Sequence, residues 1–161
     1  MVVRAVIDTS SLVGYTSRRD LQQIAQLGAF VGIWSPWIIG ELYRVLTWRW
    51  IRNPAPGRSR GDLSNANYHA CSLASKQMME LLINTFEVVD PKPPYPPAWK
   101  AFPDEWDYPI WAAAVESSAT YVVSENTHHF PPRQKNGDHS HNGITYLSSE
   151  EFLRRLAEGP L

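Results

Sequence analysis

The chain has 161 residues, 43% hydrophobic and 19% charged, a balance that supports a sizeable core and excludes a disordered polymer. Its formal net charge of −1 excludes bulk electrostatic capture of nucleic acid, while leaving room for a local basic patch. The single cysteine, Cys71, excludes an intramolecular disulfide, and no apolar run approaches the roughly 20 residues that a membrane span needs. A cytoplasmic protein without a membrane partner is the expectation, with Cys71 a small buried hydrophobe on a helix.

The first stretch, VVRAVIDTSSLV, predicts a strand over 2–7 that ends on a carboxylate, Asp8, followed by Thr9, Ser10 and Ser11. The strand is nearly uninterrupted in its apolar residues, as one buried on both faces of a parallel sheet would be. A helix is expected over 19–27, closed by Gly28, and a second strand over 30–34. Ser35-Pro36 then supplies an N-cap and a proline at the first helical position, opening a helix that runs to about Ile51.

A long helical pattern over 62–84 follows, then a third strand over 86–89 and a proline-rich loop over 91–103. Helix is expected over 107–118, a fourth strand over 121–124, and a fifth over 144–147 after a loop rich in His, Gly and Pro. Residues 148–151, SSEE, form a capping box for the last helix. Alternating strands and helices with no internal repeat predict one domain over 1–161. Its expected class is α/β: a three-layer α/β/α sandwich around a mostly parallel central sheet of about five strands.

In such sheets ligands bind beyond the carboxyl ends of the strands. Asp8 lies at one of these ends, although a turn or helix N-cap would also use Asp. Glu41 shares its helical face with Ile38, Leu42 and Val45, so it borders an apolar stripe, with an exposed pair to Arg44 as the alternative. Asp107 opens another apolar stripe, with Ile110, Trp111 and Ala114, at a position where acids are favoured for the helix dipole alone. Asp104 and Glu105 read as solvated neighbours, Asp104 being a candidate helper. Ser124 and Asn126 follow the fourth strand. Together these oxygen donors suit a hard cation, Mg²⁺ or Mn²⁺.

The segments VIDTSSLV, SPWIIGELYRVL, DEWDYPIWAAAVESSATYVVSENTHHFP and GITYLSSEEFLRRL, in this order and spacing, resemble the PIN-domain ribonucleases, many of them toxins of prokaryotic toxin–antitoxin pairs. By that resemblance Asp8, Glu41 and Asp107 match the family's three principal acidic residues, as catalytic and metal-holding groups. Ser10 matches a small polar residue supporting the first acid, and Ser124 the usual Thr or Ser after the fourth strand. The resemblance implies a metal-dependent endoribonuclease, RNA as substrate, an antitoxin protein as a candidate partner, and a homodimer. It departs at the fourth acidic position, often Asp, where Asn126 stands. His129 likewise occupies a place where many relatives carry Asp before Phe-Pro. Both departures favour a competing expectation, a PIN-like module that binds RNA or protein without turnover.

From Arg44 to Arg60 there are five arginines and no acid, interleaved with Trp48 and Trp50. Arg49, Arg52, Arg58 and Arg60 are therefore candidate phosphate contacts, with a solvated helix end or a protein contact as alternatives. His128, His129, His139 and His141 match no common zinc spacing. A haloacid-dehalogenase-like phosphatase would need an acid at position 10, and a phosphoacceptor receiver would need paired acids after the first strand. Both are missing.

Overall fold

The computed structural model describes residues 2–53, 64–99 and 104–159. Six strands form one sheet: β1 (Val3–Ile7), β2 (Phe30–Trp34), β3 (Glu87–Val88), β4 (Tyr121–Val123), β5 (His139–His141) and β6 (Ile144–Leu147). Their spatial order is β3-β2-β1-β4-β6-β5, parallel throughout except for β5, which runs antiparallel to β6. The helices are α1 (Thr9–Val13), α2 (Tyr15–Gln26), α3 (Pro36–Arg52), α4 (Asn65–Ile83), α5 (Tyr108–Glu116) and α6 (Ser149–Glu158), with layers on both sides of the sheet. The expected α/β sandwich is the observed one.

Burial on both faces explains the apolar continuity of β1, where Ala5, Val6 and Ile7 are all inaccessible to solvent. On one face Phe152 of α6 meets Phe30 edge-on at 5.0 Å and Tyr121 at 5.8 Å. On the other, Trp99 joins Trp111 of α5 to Tyr146 of β6. Gly32 is required by packing, since a Cβ there would lie 2.3 Å from the Phe86 ring.

Local signals act where the residues suggest. Ser35 Oγ accepts the Ile38 amide at 3.4 Å beside Pro36, and Ser148 Oγ accepts the Glu151 amide at 3.2 Å. Cys71 is buried on α4. Two elements differ from expectation. Strand β5 lies inside the stretch read as loop, because its polar HSH sequence earns its place only through pairing with β6. Helix α1 follows Asp8 directly, although Thr and Ser are poor helix formers. Tertiary contacts hold it: Thr9, Ser11 and Leu12 are buried, and its final carbonyls accept from cations. Arg18 Nη1 donates to Leu12 O at 2.9 Å and Arg49 Nη1 to Val13 O at 3.0 Å.

The chain winds from β1 outward to β2 and β3 on one side, then returns to place β4 on the other side of β1. The switch of strand order therefore falls between the carboxyl ends of β1 and β4. The next residues there are Asp8 and Ser124, whose amides continue the ladder to Val123 O and Leu147 O, both at 2.9 Å. The topology thus creates a crevice at that end of the sheet.

Candidate metal centre and active site

Asp8 is 6% exposed and occupies the N-cap position of α1, yet its side chain makes no capping bond. Instead Oδ2 accepts from Ser10 Oγ at 2.6 Å and from Ser124 Oγ at 2.8 Å. Each hydroxyl has one hydrogen, so with both committed to Asp8 the 3.1 Å Ser10–Ser124 contact carries no hydrogen bond. Backbone amides complete the frame: Glu125 N donates to Ser10 Oγ at 2.9 Å and Asn126 N to Ser124 Oγ at 3.1 Å. Among the described residues nothing donates to Oδ1, which leaves that oxygen for a cation.

Glu41 projects from the half-buried flank of α3, where Ile38 and Leu42 are fully buried on either side of it in sequence. Thr9 Oγ1 donates to its Oε2 at 2.8 Å. Burial pushes the Glu41 carboxyl above its ordinary value, and the charges of Asp8 and Asp107 add to the rise; the Thr9 bond and Arg44 oppose it. Asp107 ends a short 3₁₀ turn, Glu105–Asp107, and sits at the N-cap of α5 without a capping bond. Its carboxyl is also raised, first by burial and then by Asp8 and Asp104, against the opposing effect of His129.

His129 points inward. Its Nδ1 pairs with Asp107 Oδ2 and lies 2.9 Å from Asn126 Nδ2. One ring nitrogen cannot serve both contacts: as Nδ1–H it donates to Asp107, and the Asn126 amide then faces it with a donor. As a bare nitrogen its single lone pair accepts from Asn126 Nδ2 and has nothing left for Asp107.

Asp8, Asp107, Ser124, Asn126, His129 and Tyr146 help to line one small cavity of about 20 Å³, room for about one water-sized group. Glu41 opens instead onto a neighbouring groove of about 560 Å³. Among the described residues one close group of potential metal ligands stands out: Asp104, Asp107 and His129, with ligand atoms within 4.8 Å of one another. Asp8 and Glu41 are outside that tight group but near enough for their charges to act on it.

The model of the PIN domain family matches residues 4–128. The chain belongs to the PIN domain family. No curated protein and no solved structure matches it. The PIN domain is a fold of nucleases that generally depend on a divalent metal, and the donor set here suits one: carboxylate oxygens held by hydroxyls, with one Asp8 oxygen unclaimed.

Of the residues expected from sequence, Asp8, Asp107, Ser124 and Asn126 line the small cavity of this PIN domain and Ser10 holds Asp8, while Glu41 lines the neighbouring groove. It did not single out Thr9 as the anchor of Glu41, nor Tyr146, whose buried hydroxyl is driven above its ordinary pKa by burial and then by Asp107 and Asp8. Nothing in ITYL marks that tyrosine. Glu125 stands beside the fourth acidic position but faces away from Asp8, accepting from Ser149 N at 3.0 Å and tying β4 to α6. Two of the other histidines are otherwise engaged: His139 Nδ1 meets Pro131 O at 2.8 Å, and His141 packs on Trp99 and Trp111.

Of the basic candidates, Arg49 and Arg52 line an open groove of about 430 Å³ with Arg44 and Trp48. Arg49 also braces α1 through Val13 O. Arg58 and Arg60 lie outside the described residues.

Proposed function

We propose that this PIN domain is an endoribonuclease dependent on Mg²⁺ or Mn²⁺, with Asp8, Glu41 and Asp107 holding the ion. The supporting observation is the arrangement at the switch point: one carboxylate fixed by two serines with an oxygen left over, and two half-buried carboxyls raised by burial and mutual repulsion. Such a set is relieved by a cation. When bound, the ion lowers the pKa of its water and neutralises charge on the phosphate.

The chain's own groups do the positioning. Ser10 and Ser124 prevent rotation of the Asp8 carboxylate, and Thr9 fixes that of Glu41. His129 and Asn126 are hydrogen-bonded into one group with Asp107, which would orient this carboxylate toward a bound ion. Arg44 and Arg52 supply positive charge along the groove that leaves the site.

The toxin role in a toxin–antitoxin pair, with an antitoxin protein and a homodimer, extends this proposal on the strength of the four matching segments. A second reading has a specific observation behind it. Asn126 replaces an acid and His129 engages Asp107, as a module retaining RNA binding without turnover would allow.

Manganese titration with a labelled RNA separates the two. Cleavage that requires Mn²⁺ and falls at least about a hundredfold in Asp8→Asn supports the nuclease. The Asn side chain can still accept from Ser10 and Ser124, but then turns its amide nitrogen toward the cation. A mutant as fast as the wild type, with the same metal dependence, overturns the assignment.

A further inference from the structure

The ribonuclease reading leaves unused a pair of tryptophans beside Glu41. Trp37 of α3 and Trp106 of the 3₁₀ turn lie nearly parallel, with ring centroids 5.6 Å apart and planes inclined by 22°. They remain 39% and 64% exposed, so their mutual stacking covers only part of either indole. Large aromatic faces left in water at a groove wall are suited to a flat ligand.

The groove has a floor as well. Gly40 lies between Trp37 and Glu41 and is exposed, and a Cβ added there would meet nothing within 4 Å. Glycine inside a helix is destabilising relative to alanine, and no packing within the described residues calls for it here. A long side chain at this position would enter the groove.

Arg44 lines this groove and also the next one, with Trp48, Arg49 and Arg52. Among the described residues neither Arg44 nor Arg52 has an ion-pair partner. Residues 37, 40, 41, 44, 48 and 52 follow one another at helical spacing, so rings and guanidinium groups alternate along a single ridge of α3. Glu105 next to Trp106 disfavours a phosphate at the aromatic end, whereas Arg44 attracts one.

We infer that this ridge is a single-stranded RNA subsite, with one unpaired base stacked on Trp106 and the adjoining phosphate held by Arg44. The choice of RNA rests on the ribonuclease reading. The positive charge of Arg44 and Arg52 along the ridge, and its continuity with Glu41 of the proposed metal site, favour this occupant over a protein partner. Stacking of this kind tolerates any base, because each has a π-face.

The test uses the uncleaving Asp8→Asn protein and fluorescence anisotropy of a labelled oligoadenylate of about ten nucleotides. A matching ribose-phosphate strand without bases is the control. Trp106→Ala and Gly40→Leu should each weaken oligoadenylate binding about ten- to a hundredfold while leaving the abasic strand unaffected. Arg44→Ala should weaken both strands. Leu is a better helix former than Gly, so thermal melting of Gly40→Leu should be unchanged or higher, separating groove blockage from misfolding.

Equal oligoadenylate affinity in the Trp106→Ala and parent proteins overturns the base site, as does an equal loss for both strands. Sedimentation adds a third arm: loss of a dimer in Trp106→Ala with unchanged RNA affinity makes this surface a contact between copies and sinks the proposal. Should the wild type never cleave RNA, base-dependent binding lost in Trp106→Ala still upholds the subsite while the nuclease reading fails.

Discussion

Ser124 donates to Asp8 across 2.8 Å, joining the ends of two adjacent parallel strands through residues 116 apart in sequence. This bond and its partner from Ser10 set the direction of the oxygen left for a cation. Ser124→Ala removes one of the two restraints without removing a ligand. We expect about a ten- to hundredfold loss of Mn²⁺ affinity, the usual effect of losing a hydrogen bond that orients a metal ligand. Calorimetric titration with Mn²⁺ checks it, and unchanged affinity would show that Ser10 alone suffices.

Glu41 makes a prediction about stability whose sign is unusual for an acid. Burial, with Asp8 and Asp107 nearby, raises its native pKa above that of the unfolded chain. Between the two values the native state holds more protons than the unfolded one. Stability therefore falls as pH rises through that window, and the penalty persists above it. Glu41→Gln should raise the melting temperature of the metal-free protein at neutral pH, while shrinking the increase that Mn²⁺ gives the wild type. A lower melting temperature without metal would mean that the charge is already compensated.

Protons compete with the ion at the same groups. Since the Glu41 and Asp107 carboxyls are both raised, Mn²⁺ binding must displace protons as pH is lowered into their range. Affinity should weaken toward acid by up to about tenfold per pH unit for each proton displaced. Proton release measured in buffers of different ionisation enthalpy tests this directly. Binding without proton release at mildly acidic pH would remove these two acids from the metal shell.

Most of this site was legible because its residues break local rules. Asp8 ends a buried strand, Glu41 interrupts an apolar helix face, and each needed a reason beyond folding. The sheet itself was legible from its apolar runs, since parallel strands covered on both faces have no solvent side to encode. Strand β5 was hidden because HSH has no alternating pattern and owes its conformation to its neighbour. Helix α1 was hidden because its stabilisation comes from outside the helix, from Arg18 of the following helix and from the distant Arg49, which cap its carbonyls. The pairing of His129 with Asp107 was hidden, since sequence set His129 where relatives carry Asp but could not say which way its ring faces.

The basic ridge can be tested by its salt dependence. Arg52 is exposed and lines the groove, whereas Arg49 also supports α1, so Arg52→Ala is the cleaner probe. Losing one phosphate contact should lower the slope of log affinity against log salt by about 0.7 for a single strand. Metal affinity should not change. An unaltered slope would mean that RNA leaves the site by another path.

The last prediction concerns Asn126, which lines the cavity with Asp8 and Asp107 and whose amide lies 2.9 Å from His129. Asn126→Asp would bring a fourth carboxylate to the wall without changing side-chain size. That charge acts in two ways. It attracts a cation directly, and it offers His129 a second acid, which weakens the hold of the imidazole on Asp107 and frees a ligand. Both effects tighten Mn²⁺ binding in the absence of RNA, and Coulomb attraction makes the gain largest at low salt. They differ in their dependence on the ring. In a His129→Ala background the direct attraction survives and the release of Asp107 does not, so the benefit of Asn126→Asp should shrink there without vanishing. Equal Mn²⁺ affinity in the wild type and Asn126→Asp would place position 126 outside the reach of the ion. An undiminished benefit in the His129→Ala background would instead show that the pairing of His129 with Asp107 does not compete with the metal.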